Sequence, residues 1–82
     1  MSREDQAMKD LLHTIVKPLV SNPEAIAINQ VNQGNTIVLE LKVDQPDMGK
    51  VIGKQGRRAQ AIRSIMKARA TLQGKRVVVD IV

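Results

Sequence analysis

Residues 36–43 read TIVLELKV, and this alternation limits the fold more than any other feature of the chain. Ile37, Leu39, Leu41 and Val43 fall on one side of an extended strand, with Glu40 and Lys42 on the other. A strand patterned this way has one face that must be covered and one that tolerates water. In an 82-residue chain there is room for one domain and one core, so the cover comes from elsewhere in the same short sequence. The apolar content of 43% is enough for a two-layer core, though it contains no Phe, Tyr or Trp.

The flanking segments change period. From Arg3 to about Val20, Met8, Leu11, Leu12, Ile15, Val16 and Leu19 recur every three to four residues, which predicts an amphipathic helix. Ser2 is the candidate N-cap, with Asp5 three positions on. Pro18 should loosen or kink the last turn. AIAINQV (25–31) starts as a strand through Ile26 and Ile28, but Val31 falls out of phase, which admits a bulge. NQGN (32–35) then makes a hairpin into TIVLELKV. DQPDMGKVI (44–52) reads as a short helix, with Asp44 or Asp47 capping its start and Gly53 ending it. Arg57 to about Leu72 is a longer helix, with Ala59, Ile62, Met66 and Ala70 on one stripe and Gly74 beyond its end. RVVVDIV (76–82) closes the chain as a strand with Val77, Val79 and Ile81 on one side. The expected class is α+β, in the order α-β-β-α-α-β, a three-stranded sheet covered on one face by helices.

Charge is distributed unevenly. Between Lys50 and Arg76 lie nine basic residues (Lys50, Lys54, Arg57, Arg58, Arg63, Lys67, Arg69, Lys75, Arg76) and no acidic one. The rest of the chain has four basic and eight acidic residues, so a segment at +9 rides on a scaffold at −4, for a net +5. A solvated face usually mixes its signs, whereas this segregation suits a polyanion.

Within the basic segment, GKVIGKQGRR (49–58) joins two helices through two glycines three apart. Gly53 and Gly56 permit positive φ and leave no side chain to hold a ligand's backbone away. The following helix directs its free N–H groups into the joint, a seat for phosphate. Arg57 and Arg58 oppose that helix's dipole, by roughly a few tenths of a kcal/mol each, unless an anion arrives. Other glycine motifs do not fit: a P-loop lacks its Ser or Thr after Lys54, and the spacing of Gly49, Gly53 and Gly56 gives no dinucleotide fingerprint.

VIGKQG (51–56) is similar to the Ile-Gly-x-x-Gly signature of KH domains, and the element order is that of the type II, prokaryotic KH fold. GKVIGKQGRRAQAIR (49–63), with the leading helix and the short length, resembles the KhpA-type small KH proteins of bacteria. The resemblance makes residues 1–82 one KH domain, with its GxxG loop at 53–56, and implies capture of single-stranded RNA. By it Gly53, Lys54, Gln55 and Gly56 form a backbone clamp, Ile52 and facing aliphatics form the floor of a base-receiving groove, and Arg57, Arg58 and Lys50 meet phosphates. It further implies an RNA chaperone or post-transcriptional regulator that forms homodimers and pairs with a larger Jag-type KH protein (KhpB, EloR) in control of cell elongation and wall synthesis. Many KH domains have Ile or Val three residues after the second glycine, where this chain has Ala59. With no aromatic ring to stack on, binding rests on charge and aliphatic contact.

Other chemistries find little support. Absence of Cys removes disulfides and thiolate metal sites, and His13 has no second histidine with which to share a metal. No nucleophile, base and orienting group can be assembled, so no catalysis and no cofactor are expected. No apolar run is long enough for a membrane span, and the charged MSREDQAMKD start does not read as a signal peptide, which together point to the cytoplasm. Two rivals to RNA binding stay open: a small adaptor whose basic helix binds an acidic protein, and a duplex-DNA reader using the Arg57–Arg69 helix.

Overall fold

The computed structural model describes residues 3–82, with the side chains of residues 3–5 left aside; the Ser2 cap lies outside the described residues. Helix α1 runs from Arg3 to Val16 and buries Met8, Leu12 and Val16 completely. Pro18 removes one N–H, and the chain tightens into a 3₁₀ turn over Lys17–Leu19 before leaving as extended backbone at Val20. The apolar stripe does continue to Leu19, but on a tightened turn rather than on α-helix.

Strand β1 spans Ala27–Gln33 and strand β2 Thr36–Lys42, paired antiparallel in unbroken register from Ala27 opposite Lys42 to Gln33 opposite Thr36. There is no bulge. Val31 keeps the phase of Ala27 and Asn29 on the outer face, and Gln30 takes the inner position behind Ile28. Gln30 Nε2 donates to Asn32 Oδ1 at 3.0 Å, so polar side chains end the inner row of this edge strand. Positive φ in the two-residue turn is confined to Gly34, at 62°.

After β2, a 3₁₀ turn over Gln45–Asp47 leads into helix α2, Met48–Ile52. Helix α3, Arg57–Leu72, lays Ala59, Ile62, Met66 and Ala70 into the core. Its end is a Schellman motif: Gly74, at φ 69, donates to Thr71 O at 3.0 Å and Lys75 N to Ala70 O at 2.9 Å. Strand β3, Arg76–Ile81, pairs parallel to β2, giving the sheet order β1-β2-β3. The crossover between parallel neighbours is α2-loop-α3, so the glycine loop rides on the helical layer.

One face of the sheet is covered. Ile37, Leu39, Leu41 and Val43 of the β2 segment are buried against Met8, Leu12, Val16, Ile62 and Met66, with Val79 from β3. The α+β class, the α-β-β-α-α-β order and the one-sided cover all hold.

Candidate nucleic-acid interface

The loop begins where α2 ends. Gly53 N donates to Gly49 O at 2.9 Å, and Gly53 then turns to φ 76, ψ 175, a region that side chains other than hydrogen avoid. A Cβ at Gly53 would lie 2.6 Å from Arg58 Cβ and 3.0 Å from Arg58 N. Gly53 is therefore required twice, by its dihedral and by the first turn of α3 packed against it.

Lys54–Gly56 follow as a single 3₁₀ turn closed by Gly56 N to Gly53 O at 3.1 Å. Within it Gln55 is left-handed, φ 57, ψ 27, and it is the only positive-φ residue other than glycine among the described residues. Gly56 is also left-handed, at φ 73, ψ 10, and forms the N-cap position of α3 without a side-chain cap. No atom lies within 4 Å of where its Cβ would be. The result is a bare stretch of backbone, open on the Gly56 side, at the positive end of a 16-residue helix whose first N–H groups have no capping side chain. Left-handed Gln55 is strain held by its surroundings, and nothing in the spacing of the glycines announced it.

The side chains around this notch divide into free and engaged. Lys54, Gln55 and Arg57 are exposed. Ile52 is 37% exposed, while its neighbour Val51 is fully buried, so α2 sends one aliphatic to the core and presents the other beside the cations. Arg58 is exposed too, but its Nη1 donates to the carbonyl of Lys50, near the C-terminal end of α2. That contact places a cation at the negative end of one helix dipole and offsets its position at the positive end of another. Ala59 is buried on the core side of α3, so it offers no side chain to a groove.

Lys50 is more committed than its charge suggests. Its Nζ is 3.3 Å from Asp47 Oδ1 and donates to Ser21 Oγ. Asp47 is the one buried charged residue among the described residues, and contrary to the expectation from sequence its side chain does not cap α2. Its Oδ1 accepts from Ser21 N at 3.0 Å and its Oδ2 from Asn22 N at 3.1 Å, tying the α1–β1 connection to the base of α2. Asp44 has no capping contact either; its carboxylate accepts from Asn22 Nδ2 at 3.4 Å. The Ser21 amide, above all, holds the Asp47 carboxyl below its ordinary value, with Asn22 and Lys50 adding and burial opposing. This clip fixes the helix that carries Ile52 and Gly53 into the loop.

Further along α3, Arg63 Nε donates to Val79 O at 3.2 Å on the free edge of β3. Lys67 and Arg69 are exposed. His13 is exposed on α1, and no group of three or more metal-ligating side chains forms among the described residues. No helix among the described residues is long and apolar enough to cross a membrane.

A mixed three-stranded sheet, a helical layer on one face, and a two-glycine joint between the helices of its parallel crossover define a KH domain of the type II order. The chain belongs to the KhpA/KhpB KH-domain family, whose model matches residues 9–81. Its relatives include proteins named "RNA-binding protein KhpA" from Caldanaerobacter subterraneus, 53% identical over 92% of this chain and 100% of the relative, and from Clostridium acetobutylicum, 55% identical with the same coverage. The homologue in Aquifex aeolicus is 44% identical over 92% of this chain and 95% of its own length. Among solved structures, Era in complex with MgGDPNP and nucleotides 1506–1542 of 16S ribosomal RNA shares the fold at a TM-score of 0.64 and 21% identity, covering 90% of this chain and 28% of that one. Membership puts the chain in a family of binding domains and not of enzymes.

Proposed function

We propose that the chain, acting as one KH module over residues 1–82, binds single-stranded RNA reversibly through its glycine loop. The observation that carries this reading is the open backbone at Gly56, which leads directly into the uncapped N-terminus of α3. A phosphate there would accept from N–H groups of the first turn of α3, where no side chain caps the helix. Lys54, Gln55 and Arg57 line the approach, and Ile52 supplies an aliphatic surface for a base where no ring is available. Gly53 keeps the turn tight. Arg58 and Lys50 act at the rim, each swinging from its internal acceptor to a phosphate when RNA is bound. That the relatives described above are named as RNA-binding proteins supports the assignment to RNA.

The decisive variant replaces Lys54 and Gln55 by Asp. Both side chains are exposed, so the fold survives while two negative charges enter the clamp. RNA retention should be lost with an unchanged melting temperature. An RNA titration identical to wild type would remove the clamp from the account. For about four phosphate contacts, the logarithm of affinity should fall by roughly three per tenfold rise in salt.

On the same reading the chain works in the cytoplasm as an RNA chaperone or post-transcriptional regulator, with a Jag-type KH protein as partner in control of cell elongation and wall synthesis. One observation favours a protein partner in addition: Ala61, Ile65, Ala68 and Leu72 form an exposed apolar seam on α3, with Leu72 82% exposed. Arg58 and Arg69 flank it, which suits a helix with acidic margins. Loss of partner binding in Ile65→Glu, with RNA affinity retained, would establish that surface.

A further inference from the structure

Strand β3 ends the sheet, so one of its edges faces no other strand. Which groups lie on that edge follows from the register. Arg76 N donates to Asn35 O and Val82 N to Leu41 O, both at 2.9 Å, so the even-numbered residues here direct their amides at β2. Val77, Val79 and Ile81 therefore turn theirs outward. The bond from Arg63 Nε to Val79 O fits this alternation and closes one outward carbonyl. Nearer the start of the strand the edge is open. There a hollow of about 600 Å³ lies between α3 and β3, and its lining includes Lys67, Thr71, Lys75, Arg76, Val77 and Val78.

The hollow combines two kinds of surface. Val77 packs toward the helices and Val78 lies on the bare face of the sheet turned away from them, so an aliphatic floor wraps around the strand edge. Lys67, Lys75 and Arg76 surround it with cations, and no carboxylate is in the lining. Arg63, Lys67 and Thr71 follow one another at intervals of four along α3 and form one row overlooking this edge. We propose that the open half of β3 takes an acidic, extended peptide segment of another protein as a fourth strand. The N–H and C=O of Val77 exchange hydrogen bonds with the incoming backbone. Side chains alternate along such a strand, so carboxylates on the helix side meet Lys67 and Lys75 while aliphatics on the other side lie beside Val78.

A nucleic acid suits the hollow less well. Thr71 Oγ1 already donates to Lys67 O at 2.9 Å and has no proton left for a phosphate. Asp80, two residues beyond Val78 on the same side of β3, repels a backbone charged at every unit, whereas a peptide can place an apolar residue there. With no aromatic ring in the chain, bases would have nothing to stack on. The hollow is also remote from the glycine loop: Thr71 is roughly 20 Å along α3 from Arg57, and the assignment does not rest on RNA binding. Ile65 and Leu72, in the apolar seam, lie on a different flank of the helix. One short added strand buries less than the roughly 800 Å² per partner of a standard interface, so the complex should be weak.

The test titrates an end-capped octapeptide of alternating Glu and Val into the isotope-labelled full chain, followed by NMR. Saturable binding is expected below about 1 mM. Amide exchange supplies the signature of strand addition. Val77 N–H, which faces outward, should exchange about tenfold or more slowly with peptide bound, while Val78 N–H, directed at β2, should change little. Two N-methylated peptides, one blocking each alternate set of nitrogens, should differ, because only one set faces β3; one should fail to bind and the other should bind as the parent does. The double variant Lys67→Glu, Lys75→Glu, shown folded by circular dichroism, should lose about tenfold or more for this peptide and gain affinity for its Lys-Val counterpart. No saturation, unchanged Val77 exchange, equal binding of both methylated peptides, or a double variant that binds as wild type does overturns the proposal. So does a uridine decamer that slows Val77 exchange where the peptide does not, which would give the hollow to RNA.

Discussion

Replacing each loop glycine by alanine separates two roles that look identical in sequence. At Gly53 the new Cβ would be 2.6 Å from Arg58 Cβ, 3.0 Å from Arg58 N and 3.4 Å from Arg58 Cα, on backbone held at φ 76, ψ 175. The dihedral strain alone costs roughly 1–3 kcal/mol, and the contact is with the first turn of α3, which cannot move without disturbing Ala59 and Ile62 behind it. Reduced freedom of the unfolded chain returns about 0.4–1 kcal/mol. We expect Gly53→Ala to lose about 3 kcal/mol in all. At Gly56 the left-handed dihedral is similar, but nothing lies within 4 Å of the new methyl group. The loss there should be about 1 kcal/mol. For a domain of this size 1 kcal/mol moves Tm by roughly 4–8 °C, so thermal unfolding should drop about 15 °C for Gly53→Ala and about 5 °C for Gly56→Ala. Equal losses, or a larger loss at Gly56, would refute the claim that Gly53 is packed against Arg58 while Gly56 is open. RNA affinity should show less asymmetry, since both methyl groups intrude on the bare backbone.

Two further expectations concern neighbouring residues. Gln55→Gly relieves a left-handed side chain worth about 1–2 kcal/mol but adds unfolded-state entropy of about 0.5–1 kcal/mol, so Tm should rise by a few degrees, measured by calorimetry; a fall would mean that the Gln55 conformation is not strained. Asp47→Asn should lower Tm at neutral pH. Because the folded-state carboxyl titrates below its ordinary value of 3.8, its contribution is complete above that value and is lost as pH falls through the depressed one. Wild-type and variant Tm curves, followed from about pH 7 to pH 2, should therefore converge at the acid end.

Much of this architecture was legible along the chain. The alternation of TIVLELKV located β2 and its buried row, because a half-covered strand leaves a period-two record. Helix α3 begins at Arg57 and ends at Leu72 as its stripe and Gly74 indicated, because both signals act locally. Val31 misled, since an apolar residue on the bare face looks like a break of phase when β1 is read alone. Only its cross-strand neighbours Val38 and Val78 explain it.

The site was less transparent where distant residues meet. Asp47 looked like a cap and proved to be a clip, because its partners Ser21 and Asn22 precede it by 26 and 25 residues. The contacts of Lys50 and Arg58 likewise depend on how α2 and α3 lie together across the loop. Charge density along the sequence could identify the cations but not which of them already had acceptors. The left-handed Gln55 has no composition signal at all, since glutamine is not a residue that favours that conformation.

The most direct test of the account is an amide NMR titration of the full chain with a short single-stranded RNA. The account predicts that saturable shift changes concentrate at residues 52–58, centred on Gly56 and the first turn of α3, and leave Val31, Val38 and Val78 unmoved. Saturation with the Gly53–Arg57 amides undisturbed, or with changes confined to the apolar seam of α3, would contradict it.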